Sequence, residues 1–206
     1  MPVSLCPVAR HCLLVGVSLL SFAGQPAFAA EGEWLKEQFS VEENAWSFGA
    51  DYYSPSHENR PIDVVSLEAT RSWQYRSGLE LQLRGGLMHT DGIRTDYPPD
   101  GEGLDSTTTG VTGGLGFRYN AINIDRAHLF VDAMYQVYWS PSQPFPSGGS
   151  GINGYLRWGG GLGFDVTPSS TIEIANHFGH ISNGGKPPQN PTWEGHGISV
   201  NWRRRF

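Results

Sequence analysis

The chain has 206 residues, with 14 Lys and Arg against 20 Asp and Glu, a formal charge of −6, and 12 % aromatic residues. The acidic balance argues against nucleic-acid binding. Beyond residue 30 no stretch reaches the ~18 consecutive apolar residues of a membrane helix. Twenty-seven glycines with plentiful aromatics instead suit an all-β protein built on Gly-rich strands.

The first segment, residues 1–29, reads as a secretory signal peptide. Arg10 and His11 close a short basic start, and Cys12–Gly24 is a compact apolar run. Gln25-Pro26 then precedes the small-residue pattern Ala27-Phe28-Ala29, with cleavage expected after Ala29 or Ala30. Both cysteines, Cys6 and Cys12, fall inside this segment. The exported domain, 30–206, therefore has neither a disulfide nor a thiolate metal site. Arg10 is the only Lys or Arg removed, so 13 basic side chains face 20 acidic ones, a charge of −7.

Glu31–Asn44 is polar and weakly patterned, an expected short extension. Eight runs of alternating apolar and polar residues follow: Ala45–Ser54, Ile62–Trp73, Gly78–Thr90, Thr109–Asn120, Ala127–Ser140, Gly154–Val166, Thr171–Asn183 and Trp193–Phe206. In the third, Leu79, Leu81, Leu83 and Leu87 oppose Glu80, Gln82, Arg84 and Gly86. In the sixth, Leu156, Trp158, Leu162 and Phe164 oppose Arg157, Gly159, Gly161 and Asp165. Runs of this length exceed the usual globular strand and suit a tilted membrane strand of about 9–11 residues. Short connections alternate with longer ones rich in Gly, Pro, Ser or Asp.

An even number of antiparallel strands with short turns at one end and long loops at the other is the pattern of an eight-stranded transmembrane β-barrel. Closure matters there because lipid offers no partners to an open sheet edge. Tyr52, Trp73, Tyr119, Tyr138, Trp139, Trp158 and Trp202 fall near strand ends, where interfacial aromatic girdles sit. The terminal Phe206 resembles the insertion signal of bacterial outer-membrane barrels. In this arrangement Glu68, Arg84, Arg118, Asp132, Arg157 and Glu173 form a polar interior network, and so narrow a barrel is filled by side chains. A soluble barrel with its apolar face inside is the alternative.

The last two strands carry an anomaly. His180, Ser182 and Glu194 share the more apolar face, where ionisable groups facing lipid are costly and mark function. His180 and Ser182 lie roughly 6.7 Å apart along a strand. A symmetric register across the loop puts Glu194 beside Ser182 and diagonally within reach of His180. A hydroxyl, a base and an orienting acid follow the logic of a hydrolase triad; an interfacial polar patch is the alternative. His177 has interior parity, while His196 shares the lipid face. Arg60, Arg94 and Lys186 fall in outer loops, as solvated charges or as contacts for lipid phosphates.

His180-Ile181-Ser182-Asn183-Gly184-Gly185, with Asn190 and then Glu194, resembles the active-site signature of PagL-type lipid A 3-O-deacylases. The match covers Asn176–Glu194, with general agreement in size and strand number elsewhere. The resemblance implies Ser182 as nucleophile, His180 as general base and acid, and Glu194 orienting His180. It further implies an oxyanion hole from the Asn183 side chain and the Gly185 N–H, and needs no metal or other cofactor. The substrate would be lipid A of lipopolysaccharide, attacked among outer-membrane lipids by a site facing the outer leaflet of a bacterial outer membrane. A homodimer stays open. The competing functions are a non-enzymatic structural or adhesive barrel and another lipid enzyme, a phospholipase or an acyltransferase.

Overall fold

A computed structural model describes residues 25–96, 101–185 and 190–206. Most of the expected leader lies outside these residues. Two units are present, the first ending at Gln38 and the second running from Phe39 to Phe206. The first contains α1, Gln25–Gln38, which exposes Trp34 and Leu35. The polar segment expected to be an extension is thus helical through Gln38, and the first strand begins at Val41 rather than Ala45.

The second unit is a closed antiparallel barrel. Its strands are β1 Val41–Pro55, β2 Ile62–Tyr75, β3 Leu79–Arg94, β5 Thr108–Ile124, β6 Ala127–Trp139, β7 Ile152–Thr167, β8 Ser170–Ser182 and β9 Trp193–Arg205. A two-residue β4, Leu104–Asp105, pairs with the outer end of β3. Neighbours run β2-β1-β9-β8-β7-β6-β5-β3, and β2–β3 pairing closes the ring. The eight barrel strands have 13–17 residues, and β1, β2, β3, β5 and β7 are longer than the alternation alone delimits.

Period-2 alternation sorts the side chains, and the distribution is that of a barrel made for lipid. Leu67, Leu87, Leu115, Phe117, Val131, Leu162, Phe164, Ile174 and Ile198 all point outward and are exposed. The lumen is polar. Glu68 accepts from Arg84 at 2.7 Å and from Arg157 at 3.1 Å, and Arg157 reaches Asp51 at 2.6 Å. Arg118 spans Glu173 at 2.7 Å and Asp132 at 3.2 Å, and Arg203 holds Glu80 at 2.8 Å. All six expected interior ions are buried there. With so many pairs packed across it, the lumen is a core rather than a channel.

At several glycines, Gly159 and Gly114 among them, the wall leaves no room for a side chain. A Cβ on Gly159 would lie 2.0 Å from the carbonyl oxygen of Asn176 on the neighbouring strand. At the long-loop end the lumen turns apolar, with Tyr53, Ile62, Val64, Met88, Tyr138, Phe145, Tyr155, Ile181 and Trp193 forming a buried plug. Tyr138 belongs to this plug, so its expected place in an outer girdle is overturned. Successive strand residues face opposite ways, and Trp139 takes the outward position.

Candidate functional site

The seam between β8 and β9 organises the site. His180 lies directly opposite Glu194, and Ile181 opposite Trp193. The symmetric register, with Glu194 beside Ser182, is therefore off by two residues. Ser182 is the last residue of β8, and β9 opens on Trp193, which is driven fully into the plug. There its indole N–H donates to the Ile62 carbonyl at 2.9 Å. A shift of two keeps every residue on its face. His180, Ser182 and Glu194 thus stay on the lipid side, and the Glu–His contact becomes a direct cross-strand pair.

His180 Nδ1 is 3.0 Å from Glu194 Oε1. The second carboxylate oxygen, Oε2, is 3.1 Å from Nε2 of His57 in the β1–β2 loop. An ionised carboxylate only accepts hydrogen bonds, so both rings present an N–H to it. A neutral His180 then carries its hydrogen on Nδ1 and keeps a lone pair on Nε2, the state required of a general base.

Ser182 stands two residues along, its Oγ donating to Asn190 Oδ1 at 3.2 Å and accepting from the Gly184 N–H at 3.2 Å. In this arrangement its hydrogen goes to Asn190 and not to His180. Asn190 Oδ1 also receives the Asn183 N–H at 3.0 Å, which binds the end of β8 to the far side of the loop. Asn183 keeps inward parity and is buried. Its Oδ1 accepts the Gly185 N–H at 3.1 Å. Gly184 and Gly185 both adopt positive φ, +73° and +78°, which ends the strand in a turn that a side chain would strain. The two residues expected to bind an oxyanion are thus adjacent and bonded to each other.

His180, Ser182, Asn183 and Gly184 line one side of a cleft of about 480 Å3 on the outer wall. Its other side is apolar, with Tyr135, Val137, Ile152 and Leu156. Gly154 of β7 pairs directly with Ser182 of β8, and the hydroxyl of Tyr135 lies 2.8 Å from where a Cβ on Gly154 would be. The glycine lets the Tyr135 ring lie flat along the wall toward the serine. A hydroxyl and an oriented imidazole beside an apolar trough can carry out acyl transfer on a lipid chain lying against the barrel.

The outer loops hold this seam from above. Arg60 donates to the Thr192 carbonyl and, at 3.0 Å, to Thr192 Oγ1. It also pairs with Asp96 at 2.7 Å. Arg94 meets the same carboxylate at 2.7 Å and the Ser147 carbonyl at 2.9 Å. All four long loops are thereby joined. Burial pushes the Asp96 carboxyl up, but hydrogen bonds from Arg60 and Arg94 outweigh it and hold its pKa below the ordinary value. Arg60 and Arg94 are therefore ion-paired and largely enclosed, with 18 % and 7 % of their side chains exposed, rather than presented to a phosphate. Lys186 lies outside the described residues.

The remaining histidines divide as their parity implies. His177 is buried between Asp132 at 2.8 Å and Ser199 at 2.9 Å. His196 is on the outer face, its ring 5.1 Å from Phe178, which packs 4.6 Å from Trp158. His57 and Tyr135 are the site residues that sequence reasoning misses. Ring closure supplies a signal for the first. The first and last strands of a closed barrel are neighbours, so the loop after β1 must lie beside the start of β9. Tyr135 offers none, since its position looks like any other lipid-facing aromatic.

No family model matches the chain, and no curated protein matches it. Among solved structures, Neisserial surface protein A shares the fold at a TM-score of 0.57 and 12 % identity, covering 79 % of this chain and 97 % of that one. The outer membrane enzyme PagL matches at 0.54 and 18 % identity, over 75 % of this chain and 97 % of that one. What the likeness establishes is the architecture: the chain is similar in fold to outer-membrane proteins built as closed eight-stranded β-barrels.

Proposed function

We propose that this protein is a serine esterase of the bacterial outer membrane that removes the 3-linked acyl chain of lipid A. The observation that carries the proposal is the His180–Glu194 pair, 3.0 Å apart on the lipid-facing wall at the long-loop end, in one cleft with Ser182. Neither membrane insertion nor barrel closure needs an ionisable pair there. The correspondence of His180, Ser182, Asn183, Gly185 and Glu194 with the PagL-type signature names the bond.

Ser182 Oγ attacks the ester carbonyl while its proton passes to His180 Nε2. For this the hydroxyl gives up its bond to Asn190 for one to His180. Glu194 holds the imidazole in the required tautomer and stabilises the imidazolium that forms. The Asn183 amide and the Gly185 N–H take the oxyanion, exchanging their mutual bond for the substrate. The carbon–oxygen bond to the sugar then breaks, and His180 returns the proton to the leaving 3-oxygen. Water, deprotonated by His180, then attacks the acyl-serine, the bond to Ser182 Oγ breaks, His180 returns the proton to that oxygen, and a hydroxy fatty acid is released. The acyl chain stays against the apolar trough throughout, so it never leaves the bilayer.

The test is mass spectrometry of lipid A from cells making the chain or its Ser182→Ala variant. Loss of one 3-linked acyl chain with the intact serine, absent in the variant, is the expected result. Unchanged lipid A despite a correctly inserted barrel refutes the proposal. The Ser182 hydroxyl donating to Asn190 favours a second reading, a barrel that only binds partners through its loops; unchanged lipid A is its signature. Release of fatty acid from phospholipid instead marks a phospholipase.

A further inference from the structure

The Glu194 carboxylate is held at both ends. One oxygen is engaged by His180 and the other by His57, at 3.0 and 3.1 Å. A triad needs only the first of these contacts. The second comes from a loop that grips the start of β9 at three places. Ser56 N–H donates to the Glu194 carbonyl at 2.8 Å, Arg60 caps Thr192, and His57 takes the side chain itself. A turn bond from the Arg60 N–H to the His57 carbonyl, 3.1 Å, fixes the loop that carries all three.

We infer that His57 is a positioning residue for the proposed esterase: it donates from Nε2 to Glu194 Oε2 and so fixes the plane in which Oε1 meets His180. The inference rests on the function proposed above. Its physical basis is the freedom of a glutamate near the membrane surface. Glu194 has about a third of its side chain exposed, and the long Glu side chain has several rotamers within reach of water. Bound at one oxygen only, the carboxylate can swing about that contact and leave His180 in the wrong tautomer. Bound at both, it has one orientation. The loop bonds to the Glu194 backbone hold the chain but not the carboxylate, so they do not replace His57. His57 itself stands beyond the carboxylate from His180, which assigns it no contact with substrate.

The test uses the full chain, purified and folded in detergent, with lipopolysaccharide in mixed micelles and fatty-acid release as the readout. His57→Phe removes the donor and keeps a planar ring. It is expected to lower kcat roughly three- to tenfold with KM unchanged, the range that one net hydrogen bond supports. His57→Gln places an amide N–H near the former Nε2 and is expected to restore at least half of the activity. In a Glu194→Ala background, His57→Phe is expected to change nothing further, because the group it acts through is gone.

Wild-type activity in His57→Phe, a change confined to KM, or an additive loss in the Glu194→Ala background overturns the inference. A merely structural role for the loop gives that additive loss without rescue by glutamine. An active wild type with an indifferent His57 removes this inference alone, whereas a wild type that releases no fatty acid removes the function and the inference together.

Discussion

Trp193 couples the interior of the barrel to the site on its outer wall, and truncating it measures that coupling. The side chain is 0 % exposed, its ring edge-on to Tyr53 at 6.3 Å and tilted against Phe145 at 6.3 Å. Its N–H serves the Ile62 carbonyl. Trp193→Ala removes a packed side chain, which costs about 3–5 kcal/mol when the surroundings cannot collapse. The strand ladder keeps the plug residues apart, so collapse is limited here. Losing the indole hydrogen bond adds about 1 kcal/mol. The expected total is about 4–6 kcal/mol, a large share of a typical domain stability of ~5–15 kcal/mol. Trp193→Phe keeps most of the packing and is expected to lose about 1–2 kcal/mol. Urea titration of the refolded barrel in detergent, read from the mobility of folded and unfolded bands in unheated gels, gives both values. The alanine variant should also lose the proposed esterase activity in the absence of urea, since Glu194 follows Trp193 and loses its fixed place opposite His180. An alanine variant within about 1 kcal/mol of wild type, with activity intact, refutes the plug as the anchor of β9.

Three further perturbations have definite outcomes. Arg157→Met leaves Asp51 and Glu68 without the cation they share, and the same urea titration should show a loss of about 3–5 kcal/mol. Gly159→Ala puts a methyl 2.0 Å from a backbone oxygen and should prevent folding, whereas Gly113→Ala, whose nearest neighbour would be 4.0 Å away, should fold normally; unheated gel mobility separates the two. Asp96→Asn should make the outer loops sensitive to protease at neutral pH. The Asp96 pKa is lowered in the fold, so its contribution is present above the ordinary carboxylate range and fades only as pH falls through the lowered value. Wild-type loops should therefore keep their resistance from neutral pH down to about pH 5, and loss of resistance already at pH 6 would contradict the sign.

The parity of the strands was legible because the two faces of a membrane barrel differ so sharply in polarity. Leu79, Leu81 and Leu83 against Glu80, Gln82 and Arg84 show which face is the lumen without any knowledge of pairing. Register is a different matter. The symmetric pairing that sets Glu194 beside Ser182 and the observed pairing beside His180 differ by two residues. An even shift leaves each side chain on its face, so alternation cannot distinguish them. What decides is where Trp193 finds its plug partners, a long-range packing fact. Strand ends escape the alternation for a related reason. A register shift between Val41 and Glu43 and another between Asn120 and Ile122 break the two-residue period, so the ladders continue unseen to Val41 and Ile124. The pairing of Arg60 and Arg94 with Asp96 joins two loops to the end of β3, where no periodicity exists to read.

Charged and titratable groups in this barrel are of two kinds, and the difference bears on where chemistry resides. In the lumen Arg157 is matched to Asp51 and Glu68, Arg118 to Asp132 and Glu173, and His177 to Asp132 and Ser199. Both nitrogens of His177 are committed, so that ring can neither take a proton from a neighbour nor reach a substrate. His180 is arranged otherwise. Its Nδ1 is fixed by Glu194, while its Nε2 makes no hydrogen bond among the described residues and borders the cleft that holds Ser182. A base must have one nitrogen oriented and the other available. By that criterion the buried charges hold the barrel together, and the half-committed histidine on the lipid face is the one equipped to act.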